Sequence, residues 1–112
     1  MTMDVYTPER GDLIWLDLDP TVGTEITKRR PVLVLSPQIF NKVTGFAMVA
    51  PVTSTVRGFS MEVALMDCET KGVVLCHQTR SVAWPFRDPQ FIEEVPIEVV
   101  NAALSRVNAI FK

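Results

Sequence analysis

Only one stretch of this 112-residue chain carries a long helical period, and it comes last. Ile97, Val100, Leu104, Val107 and Phe111 recur at helical spacing behind Pro96. Proline suits a first helical position, because its missing N–H would be unpaired there anyway. Everything earlier is short, β-branched or alternating, and cut by prolines and turn residues. A chain with one helix cannot build repeated strand–helix–strand units. The pattern therefore predicts antiparallel strands curled into a small twisted barrel or sheet, α+β in composition, with the helix sealing one face.

Five strand segments are legible. Asp12 to Leu18 alternates, Ile14, Leu16 and Leu18 against Leu13, Trp15 and Asp17. Asp19-Pro20 ends it, and residues 20 to 30 form a sizeable polar loop. Pro31 to Ser36 has no polar residue before its end, so it is placed centrally with Pro31 first. Gln38 to Asn41 fits a single helical turn, followed by a tight turn at Thr44-Gly45. Phe46 to Val52 is the third strand, with Pro51 predicting a bulge or an edge. Met61 to Leu65 and Val73 to Val82 are the fourth and fifth. Trp84 to Pro89 then breaks the pattern twice with proline.

Length predicts one domain over residues 1–112. The apolar content of 47% and charged content of 21% fit a globular protein, and no apolar run reaches the length of a membrane helix. The first ten residues lack a basic start followed by an apolar stretch, so the cytoplasm is the expected compartment. Cys68 and Cys76 are not spaced as a metal or redox pair, and two free thiols are expected. With one histidine, His77, a zinc site and a two-histidine mechanism are not supported. His77 reads as a partly buried strand residue pointing away from Cys76. Asp17 and Asp19 read as a solvated strand end. No nucleophile elbow, P-loop or dinucleotide fingerprint occurs.

The net charge of −2 argues against wholesale electrostatic capture of nucleic acid, but it allows a local basic groove. The candidates lie in loops and at strand ends: Glu25, Lys28, Arg29, Arg30, Thr53, Ser54, Arg57, Gln78 and Arg80. Guanidinium forks match phosphate oxygens, and hydroxyls donate to the same atoms. From the residues alone two readings stand: a phosphate-facing rim, or an ordinary polar rim with solvated arginines.

The stretches "RGDLIWLDLDPTVGTE", "RRPVLVLSP", "VAPVTS" and "GVVLCHQTRSVAW", with the terminal helix, follow one another as in the MazF/PemK-type toxins of bacterial toxin–antitoxin pairs. The chain resembles that family over roughly residues 9 to 111. The resemblance implies a mainly β, α+β fold: a small SH3-like antiparallel β-barrel of about five to seven strands with a C-terminal α-helix. It also implies a homodimer, no cofactor or metal, no membrane, and a sequence-specific endoribonuclease that cuts single-stranded RNA, chiefly mRNA, by 2′-OH attack to leave 5′-OH ends. Its catalytic arginine and threonine fall on Arg30 and Thr53. RNA-binding positions fall on Glu25, in the first loop, and on Gln78, Arg80 and Arg87; Lys28, Arg29, Ser54 and Arg57 are expected to assist. The expected partner is an antitoxin with an acidic, disordered tail. The Kid/PemK branch carries an Arg-x-Asp pair where this chain has Leu75 and His77, so the resemblance is to the MazF branch. Leu18 stands where many relatives have Phe, a difference expected to alter base preference. The alternative from another class is a non-catalytic barrel that binds RNA or a protein.

Overall fold

A computed structural model describes residues 6–18 and 28–112. Most of the polar first loop, residues 20–27 with Glu25, lies outside these residues, and its last two, Arg29 and Arg30, belong to the next strand.

Strand β1 (Asp12–Asp17) pairs with β2 (Arg29–Val34), which pairs with β3 (Ala47–Thr53), all antiparallel. Their apolar residues reach both faces of the sheet. Leu13, Leu33 and Leu35 join one buried cluster; Ile14, Leu16, Leu18, Val32 and Val34 join the other. The unbroken apolar run of β2 is explained by this two-sided burial. The strand starts two residues earlier than predicted. Pro31 is third in it, opposite Trp15 of β1, and the β2–β3 register begins only at Val32. Its missing N–H therefore removes no bond from the β3 ladder.

Helix α1 (Gln38–Thr44) is longer than the single turn expected, and stops at Gly45, whose φ of +73° suits glycine. Asn41 within it is fully buried. Its amide donates to the carbonyls of Pro8 (2.8 Å) and Ser36 (3.0 Å), its Oδ1 accepts from the Ser36 hydroxyl, and its carbonyl accepts from the Trp84 indole at 3.0 Å. The Asn41 side chain thereby ties the N-terminal segment to the end of β2, and its backbone carbonyl adds the 84–86 turn.

The next hairpin is β4 (Glu62–Ala64) with β5 (Val73–Leu75). The single fifth strand expected over 73–82 is instead two. After β5 a 3-10 turn over Cys76–Gln78 lifts the chain away, and β6 (Arg80–Val82) resumes lower on β3. Val52 and Thr53 pair with β5, whereas Ala47 to Val49 pair with β6. Pro51 lies in the gap between them. It is neither at an edge nor in a bulge of its own; the irregularity sits in the neighbouring chain.

A 3-10 turn at Trp84–Phe86 leads to β7 (Gln90–Glu94), which the sequence pattern missed. It pairs with the outer side of β1, with a register shift between Leu13 and Ile14. The order is β4-β5-β3-β2-β1-β7, with β6 also on β3. Among the described residues this seven-stranded sheet is not closed, so the expected barrel is an open antiparallel sheet. Helix α2 (Ile97–Ile110) covers the face that carries Leu13 and Leu33. Its buried face is Val99, Val100 and Ala103, with Leu104 and Val107 partly covered. Ile97, the first residue of the helix, and Phe111, just past its end, both expected on that face, are exposed.

Candidate active site

Four separate segments meet in one cleft of about 480 Å³. Arg30 comes from β2, Thr53 from the last position of β3, Arg57 from the loop after it, and Gln78 from the 3-10 turn between β5 and β6. The split of the expected fifth strand is what brings Gln78 here. A continuous strand would have carried it along the ladder.

Each group is held by its local backbone. Arg30 stands opposite Leu16 in the β1–β2 ladder. Thr53 is almost buried, and its Oγ1 accepts a hydrogen bond from the Thr55 N–H at 3.2 Å. That bond uses one lone pair of the hydroxyl and leaves its proton able to donate. Arg57 sits on a loop pinned by Glu62: the carboxylate accepts from the Arg57 N–H at 3.1 Å and the Gly58 N–H at 3.0 Å.

Thr55, Phe59, Glu62, Leu75 and His77 also line the cleft, and sequence reasoning did not select them. Glu62 had a signal. Strand alternation turns it away from Val63, and it follows the Arg57-Gly58 turn at a distance a carboxylate can span. His77 had none, because its 3-10 turn was hidden inside an apparent strand. It is exposed rather than partly buried, and its ring meets Phe59 edge-on, with centroids 5.0 Å apart. Cys76, its neighbour, is buried, and burial raises its thiol to about 11 despite the countering charge of Arg106. It is an inert neighbour of the cleft. Both cysteines are free.

None of the other described candidates lines the cleft. Ser54 is exposed beside Thr53. Arg29, adjacent to Arg30 in an extended strand, serves the opposite side and pairs with Asp17 at 3.2 Å and Asp88 at 3.4 Å. Arg80 and Arg87 donate to the carbonyls of Leu18 (3.4 Å) and Asp17 (2.9 Å). The Lys28 carbonyl accepts from the Leu18 N–H at 2.9 Å. Lys28, Arg29, Arg80 and Arg87 thus gather round the end of β1, as a second basic group.

A family described as PemK-like, MazF-like toxin of type II toxin–antitoxin system matches residues 9–111. The chain belongs to that family. It is 38% identical over 105 residues to the endoribonuclease toxin MazF of Escherichia coli K12, covering 94% of this chain and 95% of the relative. It is 37% identical over 107 residues to the Escherichia coli endoribonuclease PemK, covering 91% and 80%. The crystal structure of MazF from Deinococcus radiodurans matches with a TM-score of 0.91 at 37% identity, covering 96% of this chain and 98% of that one. A MazE–MazF complex from the same organism matches at 0.85 and 37%, covering 96% and 97%. In this MazF-like chain the matched span includes every residue of the cleft. No helix among the described residues is long and apolar enough to cross a membrane.

Proposed function

We propose that the protein is the endoribonuclease toxin of a toxin–antitoxin pair, cutting single-stranded RNA at short sequence motifs in the cytoplasm. The observation that carries this reading is the convergence of Arg30, Thr53, Arg57 and Gln78 in one cleft of a MazF-like fold. Such a cleft offers donors for a phosphodiester and needs no protein nucleophile, because RNA supplies its own. The ribose 2′-oxygen attacks the adjacent phosphorus and the bond to the 5′-oxygen breaks. The products are a 2′,3′-cyclic phosphate and a 5′-OH end. The protein's part is to align the two oxygens and stabilise the added negative charge of the phosphorane. Arg30 supplies a fixed charge and a planar fork, and Thr53 supplies a hydroxyl donor. Lys28, Arg29, Ser54, Arg80 and Arg87 extend the contact to flanking phosphates, and Glu25 contributes from the first loop.

The protein works as a homodimer, and its inhibitor is an antitoxin whose acidic, disordered tail competes for the same basic cleft. The MazE–MazF complexes of the Deinococcus relative support such a partner. The deciding experiment incubates purified protein with mixed-sequence single-stranded RNA in EDTA. Discrete fragments with 5′-OH ends, lost in Arg30→Ala and Thr53→Ala, are expected. Binding without cleavage by the unmutated protein would overturn the reading in favour of a non-catalytic RNA-binding module.

A further inference from the structure

The turn that joins β4 to β5 ends at Gly72, whose φ is +125°, a conformation that L side chains rarely adopt. Its surroundings are tighter than that angle alone requires. A Cβ at position 72 would stand 2.3 Å from the Thr53 carbonyl oxygen, 2.9 Å from the Thr53 carbonyl carbon and 3.3 Å from the Ser54 Cα. All three are backbone atoms, so no change of rotamer relieves the contact. Gly72 is also held from its other side, its carbonyl accepting from the Leu65 N–H at 3.1 Å, and the next residue, Val73, is the ladder partner of Thr53. The turn is anchored in addition from the far edge of the sheet. The Glu93 carboxylate of β7 accepts from the Glu69 N–H (3.1 Å), the Thr70 N–H (2.8 Å) and the Thr70 hydroxyl (2.7 Å). Glu93, the 69–72 turn, Gly72 and the peptide of Thr53 therefore form one continuous packed path into the cleft.

We propose that Gly72 is a positioning residue for Thr53, with Glu93 as its distant anchor. The missing side chain lets the turn lie flat against the Thr53 peptide and sets where the hydroxyl points. The inference deepens the ribonuclease reading of the cleft and rests on it. A displacement of about 1 Å in a catalytic donor costs on the order of 100-fold in rate.

The test uses one in vitro transcript of fixed sequence, cut under single-turnover conditions over a range of protein concentrations, with thermal melts to choose a temperature at which every variant is folded. Gly72→Ala is expected to lower the saturating rate about 10- to 100-fold while the half-saturating concentration stays within about threefold. Gly45→Ala is the control: it imposes a left-handed φ of +73° on alanine, with nothing within 4 Å of the new Cβ, and should keep the rate. Glu93→Gln slackens the turn without any clash, and should lower the saturating rate several-fold, so the proposal remains decidable if Gly72→Ala does not fold. In a Thr53→Ala background neither change should lower the residual rate by more than about twofold, since residues acting through one group are not additive. Wild-type rates in Gly72→Ala or Glu93→Gln, or equal effects with and without Thr53, would overturn the proposal alone. A wild-type protein that cuts no RNA would overturn it together with the ribonuclease reading.

Discussion

Arg29 and Arg30 show how one residue of register separates two roles. In the extended β2 their side chains leave on opposite sides. Arg30 faces the cleft, while Arg29 faces Asp17 and Asp88 in exposed ion pairs worth roughly 0–1 kcal/mol. Arg30→Lys keeps the charge and removes the planar fork, so cleavage should fall at least about 10-fold in single-turnover assays. Arg29→Lys should stay within about threefold of wild type in the same assay. Arg30 and Thr53 were legible because each abuts a strong marker, the proline of β2 and the end of an apolar strand. Phe59 and His77 were not, since their relevance depends on which segments the fold brings to one place.

Elements were readable in proportion to how local their causes are. The alternation of β1 and the apolar run of β2 have side-chain patterns that any tertiary partner must respect. β7 does not: its QFIEE carries two acids and becomes a strand only because the free edge of β1 is there to pair with it. The break at Cys76–Gln78 likewise arises from β3, which must serve β5 at one end and β6 at the other. Helix α1 is held mainly by its buried polar residue. Asn41→Leu should destabilise the protein by about 2–3 kcal/mol in denaturant titrations, because it strands the Pro8 and Ser36 carbonyls and the Ser36 hydroxyl. Ile97→Ala, at the exposed first residue of α2, should change stability by no more than about 0.5 kcal/mol in the same titrations.

At the scale of the whole molecule, a net charge of −2 coexists with a basic cleft and a second basic group at the end of β1. RNA binding should therefore be local and salt-sensitive. If three to four phosphates are neutralised, log affinity should fall against log salt with a slope of about −2 to −3. Fluorescence anisotropy with a labelled single strand measures it, and a slope near zero would contradict phosphate contact. Alkaline pH should destabilise the fold. Burial holds Cys76 at about 11, above its ordinary 9.0, and burial and the Asp12 carboxylate raise Tyr6. In the unfolded chain both groups release protons at lower pH than in the folded one. Between roughly pH 9 and 11 the unfolded state thus binds fewer protons, and stability falls as pH rises. Thermal melts from pH 8 to 10.5 should show the decline, and Cys76→Ala should flatten part of it.

The antiparallel strands, the terminal helix, the central place of β2 and the candidacy of Arg30 and Thr53 were already written in the amino-acid order, since periodicity, proline and a family motif act over short distances along the chain. The tertiary structure decided that the sheet stays open, that β7 exists, that Gln78 and His77 sit on a turn, and that Arg29 belongs to a different face from Arg30. Those outcomes depend on strand register and on backbone approaches such as that of Gly72 to Thr53, which join residues far apart in the chain and leave no periodic trace in it.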